Sequence, residues 1–300
     1  MTMRDKPLKL HTLLGDHPNT VALKQGELKS GLVQFEFDAA RLAYPEFKRV
    51  VRGLEFDVAE LAFMTFLAAK SWGKPLVLLP VVLTARFQHP YLVYNAEKGD
   101  LTPGHLVGRR VGIRSYTVTT ATWIRGILEN DYGVAPDQIR WVSFEDPHVT
   151  ECRDPPWVER ATTGANIMSM LFAGELDAVV ATDAALADPR LKTVIPDPLA
   201  QARQWHQRNR AIQINHMVVA RESLSKSNPE AVQEVFRLLL ESKNAAPAAI
   251  TDGIDMNPFG IEANRRNLEV AIEYAEQQGL LHRRLDVNDL FDDATRALLS

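Results

Sequence analysis

Arg86 and His89 stand three residues apart, in a segment between two apolar runs. A guanidinium can grip a carboxylate through two parallel hydrogen bonds, and an imidazole beside it can exchange a proton near neutral pH. His216 interrupts the apolar run Ile212, Ile214, Met217, Val218 and Val219, where a histidine is either satisfied by backbone or turned toward a site. Other polar residues cluster where apolar runs end. Gly15, Asp16, His17 and Asn19 follow the first run, Glu60 follows Phe56 to Ala59, and Arg114, Ser115, Tyr116, Thr117, Thr119 and Thr120 follow Arg110 to Ile113. In open α/β sheets ligands bind beyond the carboxyl ends of strands, so these positions are the candidates for a site.

Each of these has a structural reading as well. Asp16 and Asn19 are turn formers, and Glu60 fits the first turn of a helix, where a carboxylate complements the dipole. The Ser115 to Thr120 hydroxyls fit a helix cap, yet free N–H groups at a helix start also hold carboxylate or phosphate. Trp123 is read as core as well as a stacking surface for an aromatic ring, and Arg125 as an interlobe or surface cation. His148, Glu151 and Cys152 lie close together, but their spacing fits no common zinc site and no metal is expected there. Phosphate-cradling G-x-x-x-x-G-K-[ST], dinucleotide G-x-G-x-x-G, H-E-x-x-H and G-x-S-x-G motifs do not occur in the sequence.

The elements that must position these residues follow from periodicity. Leu8 to Leu14 and Val33 to Phe37 alternate as strands, and Phe47, Val50, Val51 and Leu54 recur at helical spacing. Phe56 to Ala59 reads as a buried strand, Leu61 to Trp72 as a helix closed by Gly73, and Pro75 to Leu83 as a further strand. Beyond Val93 the order continues with a strand at Arg110 to Ile113, a helix at Thr119 to Asp131 and a strand at Ile139 to Phe144. A long polar loop is expected over Glu145 to Gly164, then a helix capped by Asn166 and strands at Leu176 to Ala181 and Ala211 to Ala220. Helices at Pro229 to Asn244 and Ile261 to Gln278 complete the order. This β-α-β succession predicts an α/β protein with mixed sheets flanked by helices.

Composition narrows the partners. The 300 residues are 46% hydrophobic and 24% charged, enough for a core and a solvated surface, and the length suits two lobes. The 34 Lys plus Arg against 38 Asp plus Glu give a net charge of -4, without the cation excess that a nucleic-acid partner requires. No apolar run approaches the roughly 18 residues of a membrane span. The first apolar cluster is broken by Lys9, His11 and Thr12, unlike a secretory signal, and the single Cys152 suits a reducing compartment, so a cytoplasmic location is expected.

The segment Glu55 to Leu61, the run Pro80 to Asn95 with Arg86-Phe87-Gln88-His89, the stretch Arg110 to Ile113 through Tyr116 to Trp123-Ile124-Arg125-Gly126-Ile127-Leu128, and Asn215-His216-Met217-Val218-Val219 together resemble the 4,5-dihydroxyphthalate decarboxylase family. The turn after the first strand departs from that family's Tyr-Asp-Arg-Thr-like run in carrying His17-Pro18-Asn19-Thr20. The resemblance implies a two-lobe fold of the type II periplasmic-binding-protein kind with a ligand cleft between lobes, lobe 1 from residues 1–92 plus 218–300 and lobe 2 from 93–217. It implies decarboxylation of a hydroxylated aromatic carboxylate without an organic cofactor. Direct loss of CO2 would leave an aryl anion, so the ring carbon is protonated first and the ring hydroxyls absorb the charge. His89 or His216 is then the proton donor, and Asp16 or Glu60 accepts from a ring hydroxyl. Arg86, His17, Asn19, Arg114, Trp123 and the Ser115 to Thr120 segment would bind the substrate. A non-catalytic solute-binding protein for a small aromatic or carboxylate ligand is the alternative, and assembly into a homo-oligomer stays open.

Overall fold

In a computed structural model, which describes residues 6–298, the chain forms two compact α/β units. The first holds residues up to Arg86, Ile214–Ile272 and Leu281 onward, and the second holds Phe87–Gln213 and Glu273–Leu280. Besides the two expected passages between units, the chain makes two more, around Glu273–Leu280. Along the chain the strands of the two main sheets are β1 (Leu8–Leu13), β2 (Val33–Phe37), β3 (Val58–Ala62), β4 (Leu76–Ala85), β5 (Leu92–Asn95), β6 (Arg110–Ile113), β7 (Arg140–Ser143), β8 (Val158–Arg160), β9 (Ala178–Val180), β10 (Leu191–Thr193) and β11 (Ile214–Arg221).

The sheet of the first unit has the order β2-β1-β3-β11-β4. β1 runs parallel to β2 and β3, whereas β11 is antiparallel to β3 and β4, so the sheet is mixed. Its central strands are apolar because both faces are covered: every residue of β3 is buried. One face carries Val58 and Val218, which pack with Leu79, Val235 and Leu238, the last two from the helix Pro229–Ala245. Residues two apart along a strand share a face, so that same face continues to Glu60 on β3 and His216 on β11. In register, Glu60 lies opposite Val218 and Ala62 opposite His216, which makes Glu60 and His216 diagonal neighbours.

This placement corrects the reading of Glu60. The strand begins at Val58 and ends at Ala62, so Glu60 lies inside it and not at the start of the following helix, Phe63–Ser71. A carboxylate in mid-strand looks like a strand end when only hydrophobicity is read. It is tolerated here because hydrogen-bond donors meet it from neighbouring segments.

The second unit has the sheet order β10-β5-β9-β6-β7-β8, antiparallel at the β10 side and parallel from β9 to β8. β8 falls inside the expected loop 145–164, where Trp141 pairs with Val158; a three-residue edge strand is too short to show alternation. The helix Pro198–Asn209 is a further element that apolar periodicity did not reveal, and Asp197 caps it by accepting from the Ala200 N–H.

The helix Thr119–Tyr132 is buried from Ala121 to Leu128, Arg125 included. Arg125 is therefore no surface cation. Its Nε donates to Gln278 Oε1 at 2.8 Å, its Nη2 to the Tyr116 carbonyl at 2.6 Å, and its guanidinium lies 3.8 Å from the centre of the Tyr116 ring. Burial lowers its pKa from 12.5 to about 10, still cationic at neutral pH. Trp123 is wholly buried, edge-on to Trp205 and Tyr274, and Trp205 Nε1 donates to the Tyr274 hydroxyl at 3.1 Å.

Gly126 lets this cluster close. A methyl group at that position would stand 2.0 Å from the Tyr274 ring. Gly126→Ala is expected to destabilise the chain by about 3 kcal/mol, the upper range for overpacking, as read from urea unfolding. Gly104→Ala, with no atom within 4 Å of the added methyl, should change stability by less than about 0.5 kcal/mol.

Candidate functional site

The first unit brings three sequence-distant side chains to one point. Glu60 rises from β3, His216 from β11, and His17 from the turn that follows β1. His17 Nε2 lies 2.9 Å from both Glu60 oxygens, and His216 Nδ1 lies 2.6 Å from Glu60 Oε1. The Gly15 N–H donates to Glu60 Oε2 at 2.8 Å. Glu60 is 1% exposed, whereas the two imidazole side chains are 20% and 21% exposed, so the carboxylate anchors two rings that keep an edge toward solvent.

Local chemistry shapes the turn. Thr20 Oγ1 donates to the Gly15 carbonyl at 2.8 Å and accepts the His17 N–H at 3.0 Å, which fixes the course of residues 15 to 20. Gly15 must lack a side chain: an added methyl would meet His17 Nε2 at 2.8 Å and Glu60 Oε2 at 3.0 Å. Phe47 stands edge-on to His216 at 5.1 Å and limits its ring rotation. Thr20 and Phe47 were not among the sequence candidates. Thr20 carried a turn-former signal, but nothing in the sequence ties Phe47 to a histidine 169 positions away.

The electrostatics favour an ionised Glu60. Burial alone would push its pKa up, but hydrogen bonds from His17 and His216, reinforced by their charge when protonated, hold it well below the usual carboxylate range. Among the described residues its ion-pair partners are these two histidines. This is also the group of His, Cys, Asp and Glu side chains whose ligand atoms come within 4.8 Å of one another; His148, Glu151 and Cys152 do not form such a group.

The other candidates lie as follows. Asp16 is taken up by Lys24 and by Arg41 at 3.1 Å, and those hydrogen bonds lower its pKa; its carboxylate is directed to cations and has no link to Glu60. Asn19 is buried and donates from Nδ2 to the Leu83 carbonyl at 3.1 Å, a carbonyl that Asn257 also reaches at 2.6 Å. A cavity of about 180 Å³ is lined by Asn19, Asn257, Lys243 and the turn around Pro247, but by none of His17, Glu60 and His216. Arg86 directly follows β4 and is half-buried. In the second unit Arg114 Nε lies 3.7 Å from Glu145 Oε2. Ser115, Thr117 and Thr119 are buried and Thr120 half-buried at the start of Thr119–Tyr132, a helix whose N-cap position, Val118, offers no side-chain cap. The Ser115 hydroxyl has no partner among the described residues, and Tyr116 is buried beneath Arg125.

His89 opens the short turn His89–Tyr91 of the second unit and is wholly buried. Neither ring nitrogen has a hydrogen-bond partner among the described residues. Burial, with the charge of Arg208 adding to it, lowers its pKa from 6.5 to about 4.

No family model matches the chain. Two curated proteins do. A 4,5-dihydroxyphthalate decarboxylase of Comamonas testosteroni is 26% identical over 324 aligned positions, covering 96% of this chain and 97% of that protein. A 4,5-dihydroxyphthalate decarboxylase of Pseudomonas putida is 27% identical over 213 positions, covering 66% of this chain and 81% of that protein. Over nearly its whole length, this chain is similar to a 4,5-dihydroxyphthalate decarboxylase. Among solved structures, the periplasmic aliphatic sulphonate binding protein SsuA from Escherichia coli superposes with a TM-score of 0.61 at 13% identity, over 95% of this chain and 97% of that one. That likeness establishes the fold, a two-lobe α/β fold of the periplasmic-binding-protein kind. No helix of the described residues is long and apolar enough to cross a membrane.

For His89 the sign of the pH effect is fixed. The unfolded chain protonates this histidine near pH 6.5 and the folded chain only near 4, so its contribution is complete above about 6.5 and is lost as pH falls toward 4. The loss is expected to be about 3 kcal/mol from this group alone. Urea midpoints measured across that window should fall less steeply for His89→Gln than for the parent.

Proposed function

We propose that the protein decarboxylates a hydroxylated aromatic carboxylate of the 4,5-dihydroxyphthalate type. The observation that carries this reading is the convergence of His17 and His216 on the buried, ionised Glu60. The nearly full-length similarity to the Comamonas testosteroni decarboxylase supports it.

A carboxylate that accepts from an imidazole strengthens that ring as a base and stabilises its protonated form. The His17–Glu60–His216 group thus accepts the proton of a ring hydroxyl, and the resulting phenolate pushes electron density toward the ring carbon that bears the carboxylate. That carbon takes up a proton, the bond to the carboxylate breaks with its electron pair returning to the ring, and CO2 leaves. Net, one proton is consumed for each CO2 released. The proton comes from an imidazole, His216 or His89. His89, the other imidazole, is buried and has no hydrogen-bond partner among the described residues. Arg86 and the uncapped helix start with the buried Ser115 hydroxyl are the groups chemically suited to hold the carboxylates. Asp16, engaged by Lys24 and Arg41, has no part in this scheme. Nor has Trp123, closed within its aromatic cluster. A cytoplasmic location belongs to the same reading and is supported by the single cysteine, which has no second to pair with.

Incubating the chain with 4,5-dihydroxyphthalate and with hydroxylated benzoates, and measuring CO2, tests the proposal. Release of CO2 is expected, with a loss of about 10²- to 10⁴-fold in the variant that removes the proton donor, His216→Gln or His89→Gln. Parental rates in both variants, or tight binding of an unchanged ligand without CO2, would overturn it. Gly15→Ala should reduce the rate at least tenfold while leaving the far-ultraviolet circular dichroism unchanged, since the atoms nearest its methyl are the side-chain ends of His17 and Glu60.

A further inference from the structure

We propose that His17, Glu60 and His216 form a binding site for one divalent transition-metal ion. The inference rests on the same site as the proposed decarboxylation and adds to it a Lewis acid at the hydroxyl end of the substrate.

Three observations support an ion here. First, the three donor atoms come from three separate segments, yet all lie within 4.8 Å of one another. Around an ion with bonds of about 2.1 Å, neighbouring ligand atoms are separated by about 3.0 to 3.4 Å. The present separations of 2.6 and 2.9 Å from His216 and His17 to Glu60 need only a slight widening to admit it. Second, Glu60 is a carboxylate at 1% exposure whose ion-pair partners, among the described residues, are two histidines and no lysine or arginine. A divalent ion between the three side chains would give the buried carboxylate a cationic partner. Third, the ligands are held from behind, Glu60 Oε2 by the Gly15 N–H, the His17 turn by Thr20, and the His216 ring by Phe47. Such support orients ligands before the metal arrives.

Two imidazole nitrogens and one carboxylate oxygen suit zinc, iron(II), manganese(II) or cobalt(II) better than magnesium or calcium, which prefer all-oxygen sets. Three protein ligands leave further coordination positions, and the partial exposure of both imidazoles puts those positions on the open side. Two adjacent ring hydroxyls can occupy them as a chelate and lose protons on binding. The substrate class this selects is an aromatic acid with vicinal hydroxyls, over one with a single hydroxyl.

The test uses the full chain, stripped with a chelator and titrated with cobalt(II), followed by calorimetry and by visible absorption. One ion per chain is expected, with d–d bands, and at least a tenfold weaker affinity in His17→Ala and in His216→Ala. Should Glu60→Gln fail to fold, His17→Ala, a change in a surface turn, still decides the matter. No cobalt bound, or binding unaltered in both histidine variants, overturns the ion site. CO2 release by a stripped chain that binds no cobalt would leave the decarboxylase reading intact, whereas cobalt binding without CO2 from any hydroxylated acid would leave the ion and remove the reaction.

Discussion

A single negative charge buried in the middle of a sheet constrains the structure around it. Glu60 occupies a central strand in which every neighbour is buried, and water cannot solvate its carboxylate. Taking such a charge out of water costs several kcal/mol unless hydrogen bonds and counter-charge replace the lost hydration. The replacement comes from a backbone N–H at Gly15 and two imidazoles, and each partner is held in place by its own packing. The site is therefore a consequence of how the first unit solves a desolvation problem.

That solution constrains the surrounding structure in turn. β3 must pair with β11 so that Glu60 and His216 become diagonal neighbours, and a one-residue slip would send His216 to the opposite face. β1 must run parallel to β3 so that the turn after it ends beside Glu60, and that turn must begin with a residue lacking a side chain. The apolar part of the same face, Val58 and Val218 among others, packs against the helix Pro229–Ala245 and gives the strands their register. Hydrophobic burial thus sets the geometry at which the polar groups meet.

The second unit handles polar burial differently. Arg125 is enclosed beside Tyr116 and Gln278, with carbonyl and amide oxygens taking the N–H groups of Nε and Nη2 while Nη1 has no hydrogen-bond partner among the described residues. His89 is enclosed with no such partners and is held neutral. The contrast is one of neighbours, since oxygen acceptors meet two of the Arg125 nitrogens while neither His89 nitrogen has a hydrogen-bond partner among the described residues. Glu60 and His89 are therefore buried groups of opposite character, one kept ionised by its hydrogen-bond partners and the other kept uncharged by burial and by the charge of Arg208.

Much of this could be read from the residues alone. Strands such as Val33–Phe37 and Arg110–Ile113, and the helix Thr119–Tyr132 with Gly133 after it, announce themselves through spacing, because periodicity and capping are local properties of the chain. The list of chemically capable residues, His17, Glu60, His89 and His216 among them, was legible for the same reason. Tertiary structure alone decided that Glu60 stands inside a strand, that it joins His17 and His216, that Asp16 faces Lys24 and Arg41, and that Arg125 is enclosed. The segments that meet at Glu60 are separated by 43 and 156 positions, and which of them become neighbours depends on strand order and register, set by the packing of the whole unit.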